Sequence, residues 1–88
     1  MGGEQVSLSQ IEKKVLEKLF LDRFIGGRHT SVSNVPKGFP KHLRGEVKKA
    51  LKKLSKRGYL IVKPTGYGLE VSLKPDKIKE VRSILEEK

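Results

Sequence analysis

Apolar residues in the first third of the chain recur at the three- and four-residue spacing of an amphipathic helix. Ser9 is followed three residues later by Glu12, which is the capping-box pattern for a helix N-terminus. The pattern predicts a first helix that begins at Ser9 and buries one face. Gly26 and Gly27 are expected to end this helix. Its buried stripe is predicted to contain Ile11, Val15, Leu16, Leu19, Phe20 and Phe24.

The next segment, residues 28–40, is rich in Ser, Thr, Gly and Pro and is not expected to hold a long helix. Pro36, Gly38 and Pro40 interrupt it at two-residue intervals. We expect at most one short helical turn here, over residues 31–35. The side chains predicted to anchor the segment in the core are Val32, Val35 and Phe39.

From about Lys41 the apolar residues again fall on one arc at about 100° per residue, which predicts a third helical segment. Arg57 and Gly58 provide a basic last turn followed by glycine, and we expect the helix to end there. The core-facing arc holds Leu43, Val47, Ala50, Leu51 and Leu54. The opposite arc is almost entirely basic and holds Lys41, Gly45, Lys48, Lys49, Lys52 and Lys56.

Two short segments after this helix predict a β-hairpin. Residues 59–63 are rich in β-branched and aromatic side chains, residues 69–73 alternate in polarity, and residues 64–68 read as the turn. Pro75 and Asp76 then begin a last helix. The apolar stripe of that helix is predicted to contain Ile78, Val81, Ile84 and Leu85.

These elements predict one α+β domain over residues 1–88, with its core in residues 9–85 and a flexible start at residues 1–8. A chain of this length buries only about 60% of its unfolded surface, so the core has to be economical. The sequence contains no Cys, and core packing rather than disulfides or thiolate metal sites must hold the fold together.

The formal net charge of the chain is +10, and the excess lies in the middle of the sequence. Residues 28–63 contain eleven Lys or Arg against one acid, Glu46, and so account for the whole excess. The flanks, residues 1–27 and 64–88, hold nine basic and nine acidic residues and sum to zero. Charge sorted in this way favours contact with a polyanion.

Two other interpretations of the basic segment compete with this one. A lysine-rich helix face can simply be solvated. A membrane-surface helix is the second alternative, but such helices usually carry large aromatic anchors on the apolar face, and this stretch has none. Nucleic acid is therefore the favoured partner, and no membrane partner is expected.

The composition gives little support to a metal site, a cofactor or an enzyme. His29 and His42 are too few for a metal site, and the chain has neither a cysteine nucleophile nor a G-x-x-x-x-G-K-S/T phosphate loop. No signal-peptide-like stretch and no run of about 18 apolar residues is present. We therefore expect a cytoplasmic binding protein without a cofactor, and not an enzyme.

The junction between the basic helix and the following strand carries a recognisable motif. Residues 47–60 fit the pattern V-x-x-A-L-x-x-L-x-x-x-G-Y-L at every apolar position. With the order helix, short helix, basic helix, hairpin and closing helix, this stretch resembles the winged helix-turn-helix superfamily, and its small, archaeal-type DNA-binding domains in particular. The resemblance covers residues 9–85. It implies a three-helix core, a two-stranded hairpin called the wing, and a C-terminal helix.

In that superfamily the third helix enters the major groove of DNA and the wing touches adjacent backbone. The superfamily's usual second helix is longer and lacks the prolines at positions 36 and 40 of this chain. The resemblance places the third-helix contacts at Lys41, His42, Arg44, Lys48, Lys49 and Lys52. It places the wing tip at Lys63, Thr65, Gly66 and Tyr67. The complete set of predicted nucleic-acid-binding residues is Arg28, Lys37, Lys41, His42, Arg44, Gly45, Lys48, Lys49, Lys52, Lys56, Lys63, Thr65 and Tyr67.

The residue types in this set favour phosphate contacts over base reading. Lysines act as flexible point charges, whereas paired hydrogen bonds to bases come from Arg, Asn or Gln, and only Arg44 lies near the leading end of the helix. Gly45 either lets a nucleic-acid backbone approach closely or is tolerated because it is exposed. Tyr67, between two glycines, either stacks on a sugar or base or folds back onto the hairpin. His42 is expected to contact phosphate or solvent.

Three functions fit these residues. The leading one is binding of double-stranded DNA, in a transcriptional regulator or a chromosome-associated protein. The second is RNA binding of the ribosomal or RNA-processing type, which the lysine-dominated surface also fits. The third is a protein-interaction module whose basic face docks on an acidic partner. The terminal helices could in addition form a homodimer, unless Ile78, Val81 and Leu85 cover the domain's own core.

Overall fold

The order of helices and strands is that of an α+β domain. The computed structural model describes residues 8–86 and contains, within them, four α-helices and a three-stranded antiparallel sheet. Short 3-10 turns at Lys41–Leu43 and Pro75–Lys77 lead into the third and fourth helices. No helix in this part of the chain is long and apolar enough to cross a membrane. In chain order the elements are α1 (Gln10–Leu21), β1 (Thr30–Ser31), α2 (Asn34–Lys37), α3 (Arg44–Lys56), β2 (Leu60–Thr65), β3 (Gly68–Leu73) and α4 (Ile78–Glu86).

The start of α1 confirms the predicted capping box. The Glu12 backbone N–H donates to Ser9 Oγ at 3.1 Å, and the Ser9 backbone N–H donates to Glu12 Oε1 at 2.9 Å. Of the expected flexible start at residues 1–8, only Leu8 is described, and it is half-buried against the core. The remainder of that prediction, residues 1–7, lies outside the described residues.

The end of α1 differs from the prediction. The helix stops at Leu21, before the glycine pair, because Arg23 adopts a left-handed conformation with φ 61°. The Phe24 N–H then donates to the Leu19 carbonyl at 2.9 Å, and the Arg23 N–H donates to the Phe20 carbonyl at 3.1 Å. This is the hydrogen-bond pattern of a Schellman motif with arginine at the position that glycine usually occupies. The predicted end at the glycine pair is therefore wrong.

The segment at residues 28–40 also folds differently from the prediction. Thr30–Ser31 forms β1, which pairs antiparallel with β3, so the sheet order is β1-β3-β2 and the hairpin gains a third strand. The single short helical turn that was expected in this segment does form, as α2, but its predicted bounds of residues 31–35 are wrong. Pro36 is tolerated in α2 because backbone N–H groups in the first turn of a helix have no helical partner.

The third helix follows the predicted apolar arc, although it begins later than expected. The 3-10 turn after Pro40 takes up the residues from Lys41, and α3 itself begins at Arg44. Its end is confirmed: Gly58 has φ 85°, and the Tyr59 N–H donates to a carbonyl in the last turn of α3 at 3.1 Å. The arc residues that are buried are Val47, Ala50, Leu51 and Leu54.

The hairpin is longer than predicted. β2 pairs with β3 along the full length of both strands, so only Gly66 and Tyr67 remain as the turn. The prediction had placed the turn at residues 64–68. Pro64 has no N–H to donate, and β2 can hold it because β2 is an edge strand of the sheet.

The core lies where α1 and α3 pack against each other and against the inner face of the sheet. The predicted anchors all contribute, Val35 fully buried and Val32 and Phe39 partly. The apolar stripe of α4 packs on the same core, with Val81 completely buried. Homodimerisation through the terminal helices stays a prediction. The buried apolar residues are Val15, Leu16, Leu19, Val35, Val47, Ala50, Leu51, Leu54, Tyr59, Leu60, Val71, Leu73 and Val81.

Candidate nucleic-acid interface

The exposed face of α3 carries its lysines in two rows. Residues four apart on a helix lie one above the other, and lysines at this spacing therefore form a row along the helix. One row faces the hairpin, and the other is rotated by about 100° around the helix axis, away from the hairpin. All five side chains are exposed. The first, called the groove row, consists of Lys48, Lys52 and Lys56. The second, called the outer row, consists of Lys49 and Lys53.

No lysine of α3 takes part in an ion pair among residues 8–86. The only acid on the helix, Glu46, is exposed in the first turn. The ion pairs of the described chain lie elsewhere, such as Lys18 with Asp22 at 3.5 Å. The lysine charges of α3 are therefore not neutralised by ion pairs within the part of the chain that the structure describes.

A groove of about 650 Å³ runs between α3 and the hairpin. We call it the α3–hairpin groove. Apolar side chains from both elements form its floor, and the groove row forms one rim. Its lining contains no acidic residue. The floor and its open end are formed by Val32, Pro36, Leu51, Val62, Tyr67, Leu69 and Val71.

The two faces of the hairpin differ in what they present. Successive side chains of a strand point to opposite faces, so Val62 faces the α3–hairpin groove and Lys63 faces away from it. Lys63 lies opposite Glu70 in the strand register. Glu70 also contacts Nδ1 of His29 through its carboxylate. The structure therefore does not bring Lys63 together with the lysine rows of α3.

The two predicted contact residues at the hairpin tip, Thr65 and Tyr67, have different roles in the structure. The Thr65 hydroxyl donates to the Gly68 carbonyl at 3.0 Å and accepts from the Tyr67 N–H at 3.1 Å, so it closes the turn. The Tyr67 side chain is fully exposed at the mouth of the groove. Of the two alternatives for Tyr67, this position leaves the ring free to meet a ligand.

Most of the remaining predicted residues lie at the start of α3, whereas Lys37 lies in α2 and Arg28 in the segment before β1. Arg44 is half-buried, and its Nε donates to the Phe39 carbonyl at 3.3 Å, which ties the guanidinium to the preceding loop. Apart from the local backbone of the helix, nothing lies within 4 Å of the position that a Cβ would take at Gly45, so the fold itself does not require glycine there. Both alternatives for Gly45 remain open. The other predicted residues are all exposed and are Arg28, Lys37, Lys41 and His42.

Sequence reasoning missed one lysine of the α3 face and two apolar residues of the adjoining α3–hairpin groove. Lys53 belongs to the outer row, and its helical angle, close to that of Lys49, was the available signal. Val62 and Leu69 form part of the groove floor and are 38% and 49% exposed. Their alternation along the strands was visible in the sequence, but the point at which the hairpin extends past the helices was not.

Some charged and titratable groups outside this surface make contacts within the fold. The buried carboxylate of Glu12, besides capping α1, accepts from Arg57 Nη1 at 3.4 Å. The Tyr59 hydroxyl donates to Glu80 Oε2 at 2.8 Å. Burial, with the hydrogen bond and charge of Glu80, raises the pKa of Tyr59 to about 12. Within residues 8–86, no three His, Asp or Glu side chains converge to hold a metal ion.

Comparisons of the chain with protein-family models, with curated proteins and with solved structures find no match.

Proposed function

We propose that this chain is a nucleic-acid-binding domain of the winged-helix type, with double-stranded DNA as its main ligand. The observation that carries the proposal is the exposed face of α3, where five lysines lie in two rows without an ion-pair partner in the described residues. Such a face attracts phosphates and releases their condensed counterions when it binds. The four helices and the antiparallel sheet are compatible with a winged-helix arrangement.

The position of the two elements favours a duplex. An exposed α-helix fits the major groove of B-DNA, which is about 12 Å wide. The hairpin lies beside α3, where a wing would meet the neighbouring backbone. In this docking mode the lysine rows contact phosphates on the strands that flank the groove, and Tyr67 reaches a sugar or base edge.

The chemistry of the face favours weak sequence preference. Lysine ammonium groups bind phosphates as point charges and discriminate poorly between bases. Arg44, the one arginine near the leading end, already spends one donor on the Phe39 carbonyl. We therefore propose a role in which contact with many sites matters, as in a chromosome-associated protein or a regulator with a short target.

Titration of a mixed-sequence DNA duplex at increasing salt tests the proposal. If all five lysines of the two rows contact phosphates, the logarithm of the affinity falls with the logarithm of salt at a slope of about −4.5. A flat salt response would contradict the phosphate-contact mechanism. Chemical shifts recorded in the same titration should change at α3 and at the hairpin tip.

RNA is the second candidate ligand, because the lysine-dominated face also fits a backbone read by shape rather than by base. Direct competition between a DNA duplex and a structured RNA of equal length separates the two. Displacement of RNA by DNA at equal concentration is expected. Displacement of DNA by RNA would reassign the domain to RNA binding with the same lysines.

A further inference from the structure

The α3–hairpin groove has an apolar floor that phosphate contacts do not use. Val62, Leu69 and Tyr67 are three of the four large apolar side chains exposed among residues 8–86, and they all belong to this groove. The fourth, Leu21, lies at the end of α1. Exposed apolar surface gathered in one place, rather than scattered, marks an interaction site.

The floor exists because the hairpin extends past the helices that cover its base. At the base, Leu60 pairs with Leu73 and both are buried in the core. Further along the same face, Val62 pairs with Val71, and Val62 is already exposed. The apolar face of the sheet therefore continues from the core into open solvent alongside α3.

The groove row supplies the second half of the site. Lys48, Lys52 and Lys56 are spaced four residues apart, which is about 6 Å per step on a helix. The stems of these lysines add apolar wall, and their ammonium groups stay at the rim. An extended peptide places every second side chain at about 6.6 Å, so alternate carboxylates match the lysine spacing.

We propose that the α3–hairpin groove binds an extended acidic segment of a partner protein, in which apolar and acidic side chains alternate. Its apolar side chains pack on Val62, Leu69 and Tyr67, and its carboxylates pair with the groove row. A nucleic-acid backbone complements only the rim, since desolvated phosphates against an apolar floor are unfavourable. The volume of about 650 Å³ accommodates a few anchoring side chains.

Occupation of the groove by such a segment neutralises part of the α3 charge. The peptide therefore competes with nucleic acid for the groove row, a consequence that rests on the proposed function. Binding of the peptide itself does not depend on that function, because its apolar contacts lie on the floor.

Fluorescence anisotropy with short labelled peptides tests the proposal. The probe alternates leucine and glutamate, and two controls of equal length alternate serine with glutamate and leucine with lysine. We expect the leucine–glutamate peptide to bind, the serine–glutamate peptide to bind at least about tenfold more weakly, and the leucine–lysine peptide not to bind. Equal binding of the serine–glutamate peptide would overturn the proposal, because charge alone would then explain the interaction.

The double variant Val62→Thr with Leu69→Thr separates this site from the nucleic-acid interface. Threonine keeps the charge and suits a strand, so the domain should fold as before. We expect at least about a tenfold loss of affinity for the leucine–glutamate peptide and no change in affinity for duplex DNA. Leu21→Thr, at the exposed apolar residue outside the groove, is the matched control and should change neither.

Two results would overturn the docking site. Unchanged peptide affinity in the double variant would place the peptide elsewhere. A loss of DNA affinity in the double variant, with no peptide binding by the parent, would assign the floor to the nucleic-acid interface. Failure of the parent to bind any duplex or RNA would contradict the proposed function while leaving the peptide result to stand by itself.

Discussion

Helices α1 and α3 pack against each other in the same core, but their charged side chains are arranged differently. On α1 acids and bases alternate along the exposed face, Lys18 pairs with Asp22 one turn on, and Glu12 caps the helix while holding Arg57. On α3 six basic residues face one acid, and none of its lysines has an ion-pair partner in the described chain.

The difference shows which charges take part in ion pairs within residues 8–86 and which do not. Lys48, Lys52 and Lys56 repel one another at the four-residue spacing at which a glutamate would stabilise the helix by about 0.2–0.5 kcal/mol. A helix arranged for stability alone would interleave acids, as α1 does. The uncompensated repulsion on α3 is therefore consistent with an anionic partner that relieves it on binding.

The largest effect is expected from removing charge on α3. Replacing Lys48, Lys49 and Lys52 together with Gln should lower affinity for duplex DNA about 100-fold at physiological salt, since each phosphate that is no longer bound removes about 0.7 logarithmic units. The free energy of unfolding, measured by urea denaturation, should change by less than about 0.5 kcal/mol because Gln is nearly as good a helix former as Lys. A folded triple variant that binds DNA like the parent would exclude α3 as the recognition element.

Removing charge on α1 should lower the stability of the fold and leave the affinity for DNA unchanged. Glu12→Ala deletes the capping-box acceptor and leaves Arg57 without its partner, so the free energy of unfolding should fall by about 1–3 kcal/mol. Glu17→Ala removes one exposed acid from the same helix and should cost less than about 0.5 kcal/mol. Affinity for DNA should be the same in both variants. Equal stability of the two would show that the charges of α1 are not needed by the fold.

A smaller effect, confined to high pH, is expected from the Tyr59–Glu80 hydrogen bond. The pKa of Tyr59 is about 12 in the fold and about 10 when unfolded, so the neutral phenol stabilises the fold below pH 10 and this contribution is lost as the pH rises from about 10 towards 12. The stability difference between the parent and Tyr59→Phe should be constant below about pH 10 and shrink above it. A stability difference that stays constant from about pH 10 to about pH 12 would contradict the raised pKa of Tyr59.

Sequence reasoning succeeded where a structural signal is local. The capping box of α1, the apolar arc and glycine end of α3, and the proline start before α4 each depend on residues within one or two turns. The segregation of lysines on α3 also follows from a single periodicity. These signals were sufficient to identify the helix that forms the candidate interface.

The failures involve contacts between residues far apart in sequence. Thr30–Ser31 forms a strand because β3 offers it an edge, which no local pattern reveals. Arg23 ends α1 in a conformation that glycine normally takes. The chain is held there by Leu73, whose N–H donates to the Phe24 carbonyl and whose carbonyl accepts from the Gly26 N–H. Lys63 was predicted at the hairpin tip for a related reason: the turn was predicted wider than it is, and the position and face of each strand residue depend on register.

The most direct test of the central claim compares salt dependence in two variants of equal net charge. One carries Gln at Lys48, Lys49 and Lys52, and the other carries Gln at Lys14, Lys79 and Arg82, which are exposed on α1 and α4. We expect the first to flatten the slope of logarithmic DNA affinity against logarithmic salt by about 0.9 for each phosphate that is no longer bound, and the second to keep the parent slope. Equal flattening in both variants would mean that overall charge, and not the surface of α3, binds the nucleic acid.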